Sequence, residues 1–461
     1  MNYLKTLIDL YRLKRQAKFT PKQMRTLQEK KLRKMLHHAW EHSAYYRRTF
    51  EAAGITEGQL DELPLSCFPT LNKKELLGHF DELVVPKDLR QRELSEFDAQ
   101  KSPDRKPYKG KYHVVHSSGS TGKPGYFVYD EAAWSAMLLG MLRAALWDMS
   151  IPQILSLLAK RPRIAYIAAT DGRYGGAMAV GDGIDQVGAK QIYLDIKTPL
   201  TEWIRQIKEF QPNIIIGYPS AVKILAELVE QGSVEVHAIR VISCGEPLGA
   251  SLRSYLEKIF QSKVVNFYGA SESLTMGVEM EPEDGMLLFD DMNLIEVESG
   301  VMYLTCLYNF AQPLIRYRIS DSLTLKAAEE NSPYPFTKAC GLLGRNEDIL
   351  WFEDFDGRRE FLHPLAIEGF CIEGLLDYQF RQIAKDAFEM YAEASENADK
   401  TYIRTEMMGQ MKKILAEKKL DYVQFYLIFV PEILPDPRTG KKPLILQKKE
   451  AVQDEKSVIA G

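Results

Sequence analysis

Nowhere in the chain do about 18 apolar residues run together, so no membrane-spanning helix is expected. Cysteine is scarce: Cys67, Cys244, Cys306, Cys340 and Cys371 are scattered through 461 residues with no C-x-x-C pair. That spacing argues against a zinc knuckle or a disulfide framework and for reduced, mostly buried thiols. A surplus of either charge is missing too. The 59 basic and 63 acidic side chains nearly cancel, to a net charge of -4. No global basic field is left to attract nucleic acid. Met1–Tyr11 has neither the apolar length nor the cleavage-site pattern of a secretory leader. These absences lead to the expectation of a cytoplasmic globular protein with no membrane insertion and no nucleic-acid partner.

What is present has a regular order. Met24, Leu27, Leu32, Met35, Leu36 and Trp40 fall near a helical spacing, and the basic run Lys30–Lys34 is most simply a solvated face. From about Arg163 to Glu272, apolar β-branched runs recur at Ile164–Ala168, Ile192–Leu194, Ile214–Ile216, Val241–Ile242 and Val264–Phe267. Helical stretches at Ala221–Glu230 and Leu248–Phe260 lie between the later ones. Continuous apolar strands alternating with helices predict an α/β fold with a mostly parallel sheet covered on both faces. Alternation across Leu294–Leu307 predicts an antiparallel hairpin. A change of character near Gly344 divides the chain into a large α/β domain, residues 1–343, and a small α+β domain, residues 344–461. The small domain is predicted from strands at Tyr378–Ile383, Phe388–Ala392 and Val423–Val430 and a helix near Thr401–Lys418.

Most of the predicted parallel strands end in polar or glycine-rich turns, among them Gly217-Tyr218-Pro219-Ser220, Ser243-Cys244-Gly245-Glu246-Pro247 and Tyr268-Gly269-Ala270-Ser271-Glu272. Ligands of open α/β sheets bind beyond the carboxyl ends of the strands, so these turns point to a single site. Upstream, His116-Ser117-Ser118-Gly119-Ser120-Thr121-Gly122-Lys123-Pro124 sits between short strands at His113–Val115 and Tyr126–Tyr129. Small residues let backbone N–H groups approach an anion, and lysine adds a mobile positive charge. The register is not that of a Walker A loop: its first glycine position is Ser117, and its Ser/Thr position is Pro124.

Taken together, these motifs resemble the adenylate-forming superfamily, which includes acyl-CoA synthetases, peptide-synthetase adenylation domains and luciferases. Ser117–Lys123 resembles its phosphate loop, Tyr268–Glu272 its Tyr-Gly-x-Thr-Glu motif, and Tyr317–Asp321 its Tyr-Arg-Thr-Gly-Asp motif. Gly344–Asp348 is similar to its hinge, and Pro437-Arg438-Thr439-Gly440-Lys441 to the segment that carries a catalytic lysine. His38–His42, Tyr45-Tyr46-Arg47 and Phe68–Lys73 resemble the phenylacetate–CoA ligase branch. The resemblance implies that Ser117, Ser118, Gly119, Ser120, Thr121, Gly122 and Lys123 cradle the β- and γ-phosphates of ATP. It implies that Gly245, Glu246, Pro247, Tyr268, Gly269, Ala270 and Ser271 flank the nucleotide. Asp321 would take the ribose hydroxyls, Arg345 at the hinge would bind ATP, and Glu272 would hold Mg²⁺ and act in catalysis. Lys441 or Lys442 would approach the attacking carboxylate. Both stay open, because the residues that frame the family's lysine are altered here, with Leu444 in place of an arginine.

The implied reaction adenylates a small carboxylic acid and then passes it to an acceptor, most simply coenzyme A. Tyr174, Gly217 and Tyr218 are candidate acyl-pocket walls, and their aromatic rings point toward an aryl or arylacetic acid. Asp356–Pro364 stands where the branch carries a glycine-bearing loop, but is more charged and keeps only Gly357 and Pro364. An amine, a carrier protein, AMP transfer to a cofactor, or a non-catalytic nucleotide-binding relative are the alternatives.

Overall fold

The computed structural model describes residues 3–99, 106–116, 125–159, 162–169, 178, 189–246, 248–281, 285–319, 321–343, 349–353, 357–362, 364–367, 370, 372–434 and 444–446. They form two compact units. The larger is built from residues up to 345; the smaller is built from residues beyond 345 and also takes in residues 197–200.

The larger unit opens with three helices, Tyr3–Gln16, Pro21–His42 and Ala44–Ala52. Thr20 starts the second with a capping box closed by Gln23, which satisfies two backbone donors that the first turn leaves without partners. Strands β1 (Tyr112–His116) and β2 (Tyr126–Asp130) pair antiparallel, with His116 opposite Tyr126.

The principal sheet has nine strands. Its parallel part comprises β3 (Arg163–Ala168), β4 (Lys190–Asp195), β5 (Ile214–Gly217), β6 (Arg240–Cys244) and β7 (Val264–Ala270). Helices Pro219–Glu230 and Ala250–Phe260 are the crossovers after β5 and β6. Antiparallel strands β8 (Ser273–Glu279) and β9 (Met286–Leu288) extend the sheet beyond β7. A separate three-stranded sheet holds β10 (Asn293–Glu298), β11 (Val301–Cys306) and β12 (Tyr317–Ile319). Strands β13 (Ser322–Lys326) and β14 (Lys338–Leu343) complete the nine-stranded order β13-β14-β9-β8-β7-β6-β5-β3-β4. The mostly parallel reading therefore holds for five strands, and four antiparallel ones join them.

In the smaller unit β15 (Leu350–Glu353) pairs with β16 (Arg359–Leu362). Strands β17 (Leu375–Ala384), β18 (Ala387–Ala394), β19 (Gln424–Val430) and β20 (Ile445–Leu446) form a sheet ordered β19-β18-β17-β20. Phe380, Phe388, Met390 and Leu427 share a core with Ile403, Met407 and Met411 of the helix Lys400–Glu417.

Two expectations need correction. Cys67 and Cys340 are exposed, so the thiols are not mostly buried; among the described cysteines only Cys306 is fully so. Tyr268-Gly269-Ala270 is not a turn but the end of β7, with the reversal at Ser271-Glu272. Gly269 accounts for the difference. A Cβ there would lie 2.5 Å from the Leu274 carbonyl oxygen, so the glycine is what lets β8 close tightly on β7.

Candidate active site

Among the described candidates, Gly217, Tyr218, Gly245, Glu246 and Tyr268–Glu272 lie at the carboxyl ends of β5, β6 and β7. Parallel register sets Gly217 beside Ser243 and Cys244 beside Phe267, while β7 runs three residues further to Ala270. Just past β6 the chain turns at Gly245 with φ +81°, and a Cβ there would meet the Tyr218 ring at 2.7 Å. Only glycine suits both the left-handed backbone and the ring lying against it. One candidate pocket wall, Tyr218, thus touches one candidate nucleotide neighbour, Gly245.

The Glu246 side chain holds the turn after β6 to the helix that follows β5. Its carboxylate accepts hydrogen bonds from the Ser220 backbone N–H at 3.1 Å and the Ser220 hydroxyl at 2.9 Å. Ser220 lies in the first turn of the helix Pro219–Glu230, where a carboxylate satisfies unpaired N–H groups and the helix dipole. Glu246 thereby fastens the turn that also carries Gly245.

Beyond β7 the acidic pair appears. The buried Tyr268 donates its phenolic hydrogen to Asp321 Oδ2 at 2.7 Å. Burial, then the Asp321 charge and hydrogen bond, hold that phenol well above its ordinary range. Glu272, at the β7–β8 reversal, is hydrogen-bonded to the Tyr317 hydroxyl. Burial pushes its carboxyl up to about 7; Asp321 reinforces the shift, and Lys73 and Tyr317 oppose it. Glu272, Asp321, Tyr268 and Tyr317 therefore form one electrostatic cluster. Among the described residues no group of three or more His, Cys, Asp or Glu side chains could hold a metal ion. Glu272 fits Mg²⁺ in the manner usual for nucleotide sites, one carboxylate completed by phosphate oxygens and water.

Lys73 is absent from the candidate set, and backbone pairing explains its position. Leu71 bridges Tyr317 in parallel, donating its N–H to Arg316 O at 3.0 Å and accepting from Arg318 N at 2.8 Å. Buried Arg316 locks the same segment by donating to the carbonyls of Ser66 and Phe68 at 2.8 and 2.9 Å. The only signal in the sequence was Lys73's place at the end of the Phe68–Lys73 stretch.

At the loop entrance, His116 Nδ1 lies 3.2 Å from Asp98 Oδ2, and its carbonyl accepts from the Ser271 hydroxyl at 3.2 Å. Ser117, Ser118, Gly119, Ser120, Thr121, Gly122, Lys123, Tyr174, Pro247, Arg345, Lys441 and Lys442 lie outside the described residues. An open groove of 910 Å³ lined by Lys208, Val234, Ile239 and Phe260 lies at the amino ends of β5 and β6, on the opposite edge of the sheet from these candidates.

Known proteins are similar to this chain. A family model described as "AMP-binding enzyme" matches residues 65–288. Phenylacetate-coenzyme A ligase of Escherichia coli (strain K12) is 28% identical over 354 residues, 71% of this chain and 72% of that protein. Protein CapK of Staphylococcus aureus is 22% identical over 456 residues, 90% of this chain and 87% of its own. Among solved structures, 2-hydroxyisobutyryl-CoA ligase with 2-HIB-AMP and CoA superposes with a TM-score of 0.59 at 19% identity, covering 94% of this chain and 91% of that one. At that identity the likeness speaks for the fold.

Proposed function

We propose that the chain is a phenylacetate–coenzyme A ligase-like member of the adenylate-forming superfamily, and that it activates a small carboxylic acid with ATP and transfers the acyl group to coenzyme A. The observation that carries this is the cluster of Tyr268, Asp321, Glu272 and Tyr317 at the carboxyl edge of the sheet. In the first step a carboxylate oxygen of the acid attacks the α-phosphorus of ATP and pyrophosphate leaves. Two anions must meet, so positive charge and oriented donors are needed where negative charge develops. Ser117–Lys123 and one of Lys441 and Lys442 supply them. Asp321 accepts from the ribose hydroxyls, which displace the Tyr268 phenol, and Glu272 would hold the Mg²⁺ that travels with the nucleotide. In the second step the coenzyme A thiol sulfur attacks the acyl carbon, the carbon–oxygen bond to AMP breaks, and the thiol proton is released. Residues 344–461 act as a mobile lid that exchanges the lysine segment for the acceptor. Tyr218 and Gly217 wall the acyl pocket, which favours an aryl or arylacetic acid.

The test is pyrophosphate release from ATP and Mg²⁺ over a panel of aryl, arylacetic and aliphatic acids, with hydroxylamine trapping the adenylate as a hydroxamate. Coenzyme A added to a positive acid must give a thioester. Trapped hydroxamate without thioester would replace coenzyme A by an amine, carrier-protein or cofactor acceptor, and failure to bind ATP would overturn the proposal.

A further inference from the structure

The hairpin β1–β2 flanks the phosphate-loop sequence, yet two strands alone are marginal in water. One face packs Tyr112, Val114, Tyr126 and Val128 against Phe80, Val84, Leu89 and Leu94. Its outer edge is closed by two side chains. Gln312 Oε1 accepts from Val128 N–H at 2.6 Å, and Gln312 Nε2 donates to Tyr126 O at 3.0 Å. Asn309 Nδ2 donates to Val128 O at 2.9 Å. Both amides are buried, Gln312 at 0% and Asn309 at 2% exposure. Gln312 thus imitates one residue of a third strand, offering an acceptor and a donor at strand spacing to an edge that has no neighbouring strand among the described residues.

The far side of the hairpin is tied to the reversal that carries Glu272. Tyr129, fully buried, donates its hydroxyl to Ser271 O at 2.9 Å, and the Ser271 hydroxyl donates to His116 O at 3.2 Å. Ser271 therefore joins the last residue of β1 to a residue of β2, one position before Glu272. A hairpin clamped by amides along its outer edge and tied to the reversal through the Tyr129 phenol and the Ser271 hydroxyl keeps His116, Tyr129 and Glu272 in one register.

We propose that Gln312 and Tyr129 are positioning residues for nucleotide use: they fix the β1–β2 hairpin against the Ser271–Glu272 reversal so that phosphate-binding and metal-binding elements meet the same ATP. The inference rests on the adenylation proposed above. Gln312→Met keeps the volume and removes both amide hydrogen bonds; Tyr129→Phe removes only the hydroxyl. A small displacement of such elements is costly, so each variant raises the KM for ATP by roughly tenfold and leaves the KM for the acid near its original value.

The experiment measures both KM values by pyrophosphate release, and ATP affinity by calorimetry, in the full chain at a temperature well below unfolding. Circular dichroism checks that each variant is folded. Unchanged ATP affinity in folded Gln312→Met and Tyr129→Phe, or an equal rise in both KM values, overturns the inference. Should Gln312→Met fail to fold, Tyr129→Phe decides by the same criterion. If the parent binds ATP but activates no acid and the variants still lose ATP affinity, the positioning role stands while the adenylation proposal falls. If the parent does not bind ATP, both fall.

Discussion

Tyr268 and Asp321 are joined by a 2.7 Å hydrogen bond that links the end of β7 to the start of β13. The same carboxylate is the one proposed to receive the ribose hydroxyls, so the phenol satisfies Asp321 until a nucleotide replaces it. Asp321→Asn weakens an acceptor of charge-assisted bonds, each worth about 1.5–3 kcal/mol. The expected result is a KM for ATP raised by roughly tenfold to a hundredfold, with the KM for the acid little changed. Tyr268→Phe keeps the ring and loses only the competing donor, so its effect on ATP stays below roughly tenfold. Kinetics in which Tyr268→Phe is the more damaging variant would reverse these roles.

Glu272 and Asp290 both have carboxyls pushed up to about 7, in each case chiefly by burial. A carboxyl whose folded value is raised binds its proton more tightly in the folded state. Its stability contribution is therefore complete below the ordinary carboxylate value and is lost as pH rises through about 7. Ligand-free protein should melt at a lower temperature at pH 8 than at pH 5.5, and Glu272→Gln and Asp290→Asn should each flatten that slope. Activity runs the other way, because Glu272 must be ionised to hold Mg²⁺: pyrophosphate release rises with pH through about 7, and Glu272→Gln removes Mg²⁺-dependent turnover. Full Mg²⁺-dependent activity in Glu272→Gln would remove the metal assignment.

Much of this site was legible because its elements obey short rules. Ile214–Ile216 is an unbroken apolar run, as a strand buried on both faces requires, and the polar turns after β5 and β6 mark the edge where ligands bind. Tyr268–Ala270 escaped for the opposite reason. Its pairing with β8 passes through backbone groups and a shifted register between Tyr268 and Ala270, so small residues stand where a period would show. Gln312 was invisible in a different way. It belongs to no periodic element, and its value depends on the Tyr126 and Val128 backbone groups nearly two hundred positions away. Exposed Cys67 and Cys340 show that scattered cysteines carry no information on burial by themselves.

Arg143 and Asp291 form a bidentate ion pair at 2.6 and 3.0 Å, with both side chains at 0% exposure. The guanidinium also lies 4.0 Å from the Phe289 ring centroid. Removing one member leaves a buried charge without its partner, at a cost of about 3–5 kcal/mol. Arg143→Met should lower the unfolding free energy by that amount in urea titrations. The double variant Arg143→Met with Asp291→Leu should recover part of the loss, because neither member of the pair is then buried as a charge, while the neighbouring Lys31 loses the Asp291 carboxylate that stabilises it. A double variant no more stable than the single would assign the loss to packing.

The lysine assignment rests on sequence alone and is decided by two variants. Lys441→Ala and Lys442→Ala are expected to differ: the true partner of the reacting carboxylate loses most pyrophosphate release, and the other keeps most of it. Removal of such a stabilising charge typically costs a hundredfold or more in rate, about 2.7–4 kcal/mol. Thioester formation from presynthesised acyl-adenylate should survive in both, since the lysine serves only the first step. If both variants adenylate at the parent rate, the segment Pro437–Lys442 has no catalytic lysine.

The last prediction concerns the exposed edge of the small unit. Among the described residues, strand β19 is the outer strand of its sheet, and it exposes Tyr426 and Ile428 at 46% and 39%. An apolar edge strand is a template for pairing with another chain. Gln424 donates its N–H inward to Asp386 O at 2.8 Å, so by alternation the backbone groups of Phe425, Leu427 and Phe429 face outward. The central one of these is already occupied: Arg404, from the helix Lys400–Glu417, donates to Leu427 O at 3.0 Å, and its guanidinium lies 5.4 Å from the Phe429 ring centroid. A charged side chain across the edge blocks strand addition both by filling the acceptor and by placing a cation in the way. Arg404→Ala frees the carbonyl and removes the charge without touching the core beneath. Sedimentation velocity over a concentration series should then show association that the parent lacks, while Arg404→Lys restores the parent's behaviour through its charge. Identical sedimentation of Arg404→Ala and parent across the series would mean that the edge is protected by something other than Arg404.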